Sequence, residues 1–299
     1  MVRFALLLMI MLPVLLQAQQ NPAEAVKIKI QSGDYTGARQ DLNKIIESNP
    51  KNKLALALRG KARIGLEDYY GAIADLTQAL EMDSTIAEGY NDRGLAKMNL
   101  GDDEGAILDF NKAIKFNPKM ADAYTNRGFA LYNIEEIADA YFDFSKALEI
   151  GPADADKYYN CGVAKAALGE YVSAIDDYNR ALELDKKDPS LYNFRAIAYD
   201  QLSNFQLAIA DYAEAIKLAP QNPDYYENRA ISKTSLNDFK GALEDYNKAI
   251  ELNPNYTLAY MNRGIVYANR QMNDSALADY NKAIETNPEM DIPYYNIAS

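Results

Sequence analysis

The chain repeats itself every 34 residues. Asp41-Leu42, Asp75-Leu76, Asp109-Phe110, Asp143-Phe144, Asp177-Tyr178, Asp211-Tyr212, Asp245-Tyr246 and Asp279-Tyr280 recur at that spacing without one insertion. A segment that returns at fixed spacing reports a stacked unit, because each unit buries its apolar face only against its neighbours. With Pro118 set at position 32, eight copies run over 19–52, 53–86, 87–120, 121–154, 155–188, 189–222, 223–256 and 257–290. Residues 291–299 read as the start of a ninth copy or a short C-terminal cap.

Each copy reads as two helices. In the third, the pattern predicts one helix over 87–100, a turn at Gly101-Asp102 and a second helix over 104–117, stopped by Pro118. Small residues recur where helices must approach closely. Gly94, Gly128 and Gly162 stand at position 8, and Ala38, Ala72, Ala106, Ala140, Ala174, Ala208, Ala242 and Ala276 at position 20. Glycine inside a helix costs about 1 kcal/mol relative to alanine, so its return at one position implies a packing gain. Pro189 and Pro223 fall at a first helical position, where no backbone donor is lost.

These residues resemble the tetratricopeptide repeat family over essentially everything after residue 18. The family has an aromatic at position 4, Gly or Ala at 8, Ala at 20, an aromatic at 24, Ala at 27 and Pro at 32. Tyr90, Gly94, Ala106, Phe110, Ala113 and Pro118 match it within one copy. The resemblance implies an all-α fold: an α-solenoid of antiparallel helix pairs wound into a right-handed superhelix with a concave, ligand-binding inner face.

Two features depart from that family's pattern. Position 7, usually apolar in the family, is Arg59, Arg93, Arg127, Arg195, Arg229 and Arg263, while position 23 is Asp in all eight copies. The two sets are read as structural ion pairs across the repeat boundary: Asp75 with Arg93, Asp109 with Arg127, Asp177 with Arg195, Asp211 with Arg229 and Asp245 with Arg263. Copy five motivates that direction, since Cys161 holds its position 7 and Arg195 is the next arginine. Copy one has Ala25 there.

Composition narrows the chemistry. The chain has no His and one Cys, which excludes Ser-His-Asp and Cys-His catalysis, imidazole metal sites and disulfides within the chain. No phosphate-binding glycine loop or calcium loop occurs, so no catalytic residue, metal or cofactor is assigned. With 31 basic against 43 acidic residues and a formal charge of −12, the chain repels phosphate backbones and anionic lipid, which argues against nucleic acid as a partner. At the N-terminus, Arg3 precedes an apolar run from Ala5 to Leu16 and then Gln17-Ala18-Gln19-Gln20. That run is shorter than the roughly 20 residues of a membrane span. Residues 1–18 therefore read as a signal peptide cut after Ala18, giving a periplasmic or extracellular protein without stable membrane insertion.

The candidate binding residues lie at a few repeat positions. Most tyrosines, Tyr124, Tyr158, Tyr192, Tyr226 and Tyr260 among them, hold scaffold positions. Family geometry turns Tyr159 at position 5 and Tyr132 at position 12 into the groove. Position 6 carries Asn126, Asn160, Asn228, Asn262 and Asn296, interrupted by Asp92 and Phe194. A carboxamide both donates and accepts, which suits the backbone of an extended peptide. The alternative is capping or solvated Asn inherited through repeat duplication. Position 9 supplies Leu95, Phe129, Val163, Ile197, Ile231 and Ile265, as groove floor or as core. Glu88, Asp122, Asp156 and Asp224 at position 2, with Asp92, Asp200 and Glu227, favour a neutral or basic ligand. The expectation is an exported, non-enzymatic scaffold binding polypeptide along its groove, as adaptor or assembly factor. The alternative is the repeat arm of a larger enzyme or sensor whose catalytic domain lies elsewhere. Self-association through Ile292, Tyr294, Tyr295 and Ile297 is a third route to a partner.

Overall fold

A computed structural model describes residues 22–289. The signal-peptide residues, Asn296, and the 291–299 segment with Ile292, Tyr294, Tyr295 and Ile297 lie outside the described residues. Among the described residues there are sixteen α-helices and no strand. They are α1 (Pro22–Gln31), α2 (Tyr35–Ser48), α3 (Lys53–Ile64), α4 (Tyr69–Met82), α5 (Ala87–Asn99), α6 (Asp103–Phe116), α7 (Ala121–Asn133) and α8 (Ile137–Ile150). There follow α9 (Ala155–Ala167), α10 (Tyr171–Leu184), α11 (Pro189–Gln201), α12 (Phe205–Leu218), α13 (Pro223–Ser235), α14 (Phe239–Leu252), α15 (Thr257–Asn269) and α16 (Asn273–Thr286).

Odd-numbered helices open each copy and even-numbered ones close it. The turn between them passes through the left-handed region at position 15 in all eight copies: Gly33, Glu67, Gly101, Glu135, Gly169, Ser203, Asn237 and Gln271. The next residue's amide then reaches back to the first helix, as Asp34 does to the Lys29 carbonyl and Asp68 to that of Arg63, which satisfies carbonyls the helix leaves open. Position 16 caps the second helix wherever it is Asp. Asp34, Asp68, Asp102 and Asp238 accept from the amides of Gly37, Gly71, Gly105 and Gly241. A Cβ at Gly37 would sit 2.2 Å from the Asp34 carboxylate, so cap and glycine come as a pair. Copies with Glu136, Glu170, Asn204 or Met272 at that position lack both the glycine and the side-chain cap.

Inside each copy the two helices touch at positions 8 and 24. A Cβ at Gly94 would meet the Phe110 ring at 2.7 Å, and one at Gly162 would meet Tyr178 at 2.6 Å, which is the close approach that the recurring glycines imply. Position 24 is buried throughout, as Leu42, Leu76, Phe110, Phe144, Tyr178, Tyr212, Tyr246 and Tyr280. Alanines at positions 20 and 27 complete the core.

Two compact units divide the chain. The first comprises copies one to four, up to residue 152, and the second copies five to eight, from residue 153. Within each unit a second helix packs on the first helix of the next copy, and the first helices of successive copies also meet: α1 with α3, α3 with α5, α5 with α7, then α9 with α11, α11 with α13 and α13 with α15. The described helices thus form an α-solenoid of antiparallel pairs.

The ion pairs form, but with different partners. Arg93 holds Asp109 rather than Asp75, through Nε–Oδ2 at 2.8 Å and Nη2–Oδ1 at 2.7 Å. Likewise Arg127 holds Asp143 rather than Asp109, Arg195 holds Asp211 rather than Asp177, Arg229 holds Asp245 rather than Asp211, and Arg263 pairs with Asp279 rather than Asp245. Positions 7 and 23 of one copy face each other across its own helix hairpin, so the fork closes there in a bidentate grip. What crosses the boundary is the remaining nitrogen. Nη1 of Arg59, Arg93, Arg127, Arg195 and Arg263 donates to Asn43, Thr77, Asn111, Asn179 and Asn247 at position 25 of the preceding copy. The position-4 tyrosine stacks on the same guanidinium, as Tyr90 does on Arg93 at 5.5 Å.

Asp177, with no arginine in its copy, takes Lys165 at position 11 as partner, 2.8 Å away. Lys29 serves Asp41 in the same way in copy one. Copies two, three and seven carry both cations, Arg63, Lys97 and Lys233 joining the arginines on Asp75, Asp109 and Asp245. Burial pushes the Asp109 carboxyl up, but hydrogen bonds from Arg93 and Lys97 bring it below its ordinary value. Asp143, with Arg127 alone, is held above it by burial.

Two sets of substitutions test this scaffold by urea unfolding followed by far-UV circular dichroism. Asp143→Ala strips Arg127 of its only carboxylate and should cost about 3–5 kcal/mol. Arg63→Ala leaves Arg59 on Asp75 and should cost about 1 kcal/mol or less; equal losses would contradict the redundancy. Glu135→Gly relieves a left-handed residue and should raise stability by about 1 kcal/mol, whereas a loss would show that the Glu135 side chain carries a contact worth more than the strain.

Candidate functional site

The first helices meet one another along each unit, and their contact side presents repeat positions 2, 5, 6, 9 and 12. Position 9 is both groove and core. Phe129 and Ile231 are 40% and 41% exposed, whereas Leu95, Val163, Ile197 and Ile265 are half-buried. Phe129 sets its edge against Phe144 at 5.2 Å, and Val163 packs on the Tyr178 cluster. Tyr132 and Tyr159 are half-buried as well.

The position-6 series has a structural role that sequence reasoning missed. Asn126 Nδ2 donates to Asn91 Oδ1 at 3.0 Å, Asn228 to Asn193 at 3.1 Å, and Asn262 to Glu227 Oε1 at 2.7 Å. Each acceptor is position 5 of the preceding copy. Phe194 makes the apolar version of the same contact, edge-on to Tyr159 at 5.1 Å. These carboxamides are therefore stitches between repeats, each worth about 0.5–1.5 kcal/mol, and their carbonyls are what remains to accept from a ligand. Asn160 is buried. The periodic Asn reveals itself in sequence, but its partner lies 35 residues back, one beyond the period.

A polar network in the second unit also escaped the sequence reading. Ser232 is fully buried and donates to Asp200 at 2.7 Å, which also accepts from Tyr212 at 2.8 Å. Its signal was present in two substitutions: Ser232 stands where other copies have Ala62, Ala96, Ala130, Ala164 and Ala198, and Asp200 where Ile64 and Met98 stand. Nearby, Tyr256 donates to Asp224 at 2.7 Å. Burial pushes the carboxyls of Asp200 and Glu227 up, only partly offset by the hydrogen bonds they accept.

In the first unit the ladder is interrupted. Asp92 takes position 6 of copy three, but Ala57 stands at the position-5 site behind it and offers only a methyl group. Asp92 is 8% exposed, and its hydrogen bond, from Asn91, is 3.5 Å long. It lines a cavity of about 360 Å³ whose walls are Ile30, Leu54, Ala57, Leu58 and Ile86, with Lys27, Lys61 and Glu88 also lining it. Burial pushes the Asp92 carboxyl up to about 6, against the attraction of Lys61. Asp92 was legible as a break in the Asn series; the cavity was not, because it arises from side chains of three separate copies.

Among the described residues no group of three or more His, Cys, Asp or Glu is arranged to hold a metal ion, and no helix is long and apolar enough to cross a membrane.

Comparison with known proteins places this geometry. Family models described as tetratricopeptide or TPR repeats match residues 24–85, 94–134, 155–188, 189–222, 232–271 and 257–290. No curated protein matches the sequence. Among solved structures, a tetratricopeptide repeat protein from Parabacteroides merdae is 20% identical with a TM-score of 0.57, the match covering 87% of this chain and 99% of that one. The C-terminal part of a TPR repeat-containing protein from Cytophaga hutchinsonii is 18% identical with a TM-score of 0.57, covering 92% and 99%. YrrB, a TPR protein with an unusual peptide-binding site, is 24% identical with a TM-score of 0.54, covering 62% and 95%. With repeat-model matches spread over most of its length and a fold shared with these structures, the chain belongs to the tetratricopeptide repeat family.

Proposed function

We propose that this chain is an exported, non-catalytic scaffold that holds extended polypeptide segments on the inner face of its repeat arrays, as adaptor or assembly factor. Tetratricopeptide arrays are protein-interaction scaffolds, and the observation that carries the reading here is the position-9 line. Leu95 and Phe129 in one unit, and Val163, Ile197, Ile231 and Ile265 in the other, leave apolar surface on the side where the first helices meet. An extended segment laid across them buries alternate side chains while its backbone remains free to pair. Glu88, Asp122, Asp156 and Asp224 along the same helices favour neutral or basic segments over acidic ones. Export rests on the charged start, the apolar run from Ala5 to Leu16 and the Ala18 cut site.

The test compares two pairs of charge insertions in the full chain, read by fluorescence anisotropy against a panel of labelled ten-residue peptides. Phe129→Glu with Ile231→Glu, on the inner face, should weaken binding about ten-fold or more while the far-UV circular dichroism spectrum stays that of the folded helical chain. Leu108→Glu with Val172→Glu, on second helices and 66% and 65% exposed, should leave it unchanged. Loss with the second pair and retention with the first would move the site to the second helices.

A further inference from the structure

The cavity of the first unit contains a buried carboxylate that the fold itself leaves almost unanswered. Every position-23 aspartate of the scaffold has a cation in its own copy, and the ladder residues Asn126, Asn228 and Asn262 find a partner one copy back. Asp92 has neither. Its hydrogen bond is the 3.5 Å contact from Asn91, whose own carbonyl is taken by Asn126. A buried carboxylate without strong donors is costly, so a fold that keeps one beside open volume has left room for a donor from outside.

The walls state what that donor carries with it. Ile30, Leu54, Leu58 and Ile86 supply apolar surface leading to Asp92, and Leu54 is 47% exposed. An alkyl stem with a cationic head suits such a channel, the stem lying on the aliphatic walls and the head meeting the carboxylate. We infer that this cavity receives a single lysine or arginine side chain from a bound polypeptide, with Asp92 as the acceptor. The inference rests on the polypeptide-binding reading above and specifies one of its contacts. The charged groups around the site are Lys27 from α1, Lys61 from α3, Glu88 beside Asp92 on α5 and Asp122 from α7. Lys61 is exposed and acts on Asp92 through space, while Glu88 and Asp122 reinforce its negative charge. Lys27 and Lys61 both line the cavity with exposed side chains, and neither donates a hydrogen bond to Asp92, so the direct contact to its carboxylate is left for the guest.

Asp92 has two further consequences that a purely structural residue would not. Because burial raises its carboxyl from the ordinary 3.8 to about 6, ionisation in the folded chain opposes folding. Stability contributed by the protonated form is present below the unfolded value and is lost as pH rises through about 6. Asp92→Asn should therefore be more stable than the parent at pH 7 and no more stable near pH 3.5. The same ionisation is what a guest cation requires, so its capture should fade as pH falls from 7 to 5.

The experiment uses the full chain with labelled Ile, Leu and Val methyl groups and follows their NMR shifts. The probes are acetyl-Gly-Leu-Lys-Leu-Gly-amide, the same peptide with norleucine in place of lysine, and n-butylammonium alone. The lysine peptide should move the Ile30, Leu54, Leu58 and Ile86 methyls and bind about ten-fold more tightly than the norleucine peptide, which keeps the stem and lacks the head. Asp92→Asn should abolish that difference while unfolding at higher urea at pH 7. Equal binding of the two peptides by the parent chain, or a preference that survives Asp92→Asn, would overturn the inference. So would n-butylammonium filling the cavity as tightly as the lysine peptide, since that marks a site for a free amine. If no peptide moves any inner-face methyl, including Leu95, Val163, Ile197, Ile231 and Ile265, the polypeptide reading falls and this one with it. Binding along those residues that leaves the cavity methyls unmoved sinks this inference alone.

Discussion

A carboxylate buried in every repeat is the constraint around which the rest of this array is arranged. Position 23 is aspartate in all eight copies, and six of the eight are almost wholly buried. Such a charge folds only if a cation accompanies it, so the copies secure that cation from position 7, position 11 or both. The choice shapes its surroundings. Where arginine serves, it takes a tyrosine on its face at Arg93, Arg127, Arg195, Arg229 and Arg263 and, in five copies, reaches the preceding repeat through its third nitrogen. Where lysine alone serves, the carboxylate is covered less completely: the Asp41 side chain is 37% exposed and that of Asp177 14%, an ammonium lacking the planar fork that grips both oxygens.

The two copies without arginine are those that open the two units, with Ala25 and Cys161 at position 7. In both, lysine at position 11 alone supplies the cation from inside the copy. The same division between contacts inside a copy and contacts between copies explains the inner face. Position 6 holds the preceding repeat at Asn126, Phe194, Asn228 and Asn262, where position 5 offers an acceptor or a ring, and it opens onto a cavity at Asp92, where that residue is Ala57.

Helix pairs, turns and core positions were legible in the sequence because they depend on spacing within one copy. Gly94 against Phe110 and the Gly101 turn follow from local rules of close approach and chain reversal. That Glu67, Glu135, Ser203 and Gln271 adopt the same left-handed turn was hidden, since tertiary packing overrides their preference. Ion-pair partners were misread because position 23 can face two first helices, and only the hairpin geometry decides between them. The Asn ladder was visible as a set of residues, but not its use, which depends on an offset of 35 rather than 34. Ser232 and Asp200 needed comparison of each copy with its neighbours, where two small departures coincide 32 residues apart.

The closure of each charge pair inside a single copy bears on how such a chain can grow. A repeat that completes its own electrostatics is a self-contained module: duplicating or deleting one moves a carboxylate and its cation together. Had Asp75 depended on Arg93, every gain or loss of a repeat would have required the new neighbour to supply the missing half of a buried pair. As built, what a new junction must re-form is an arginine's reach to a neutral Asn or Thr, a contact whose loss the array already tolerates at Arg229, where the preceding copy has Ala213. Length is therefore a property this architecture can vary without first solving a charge problem.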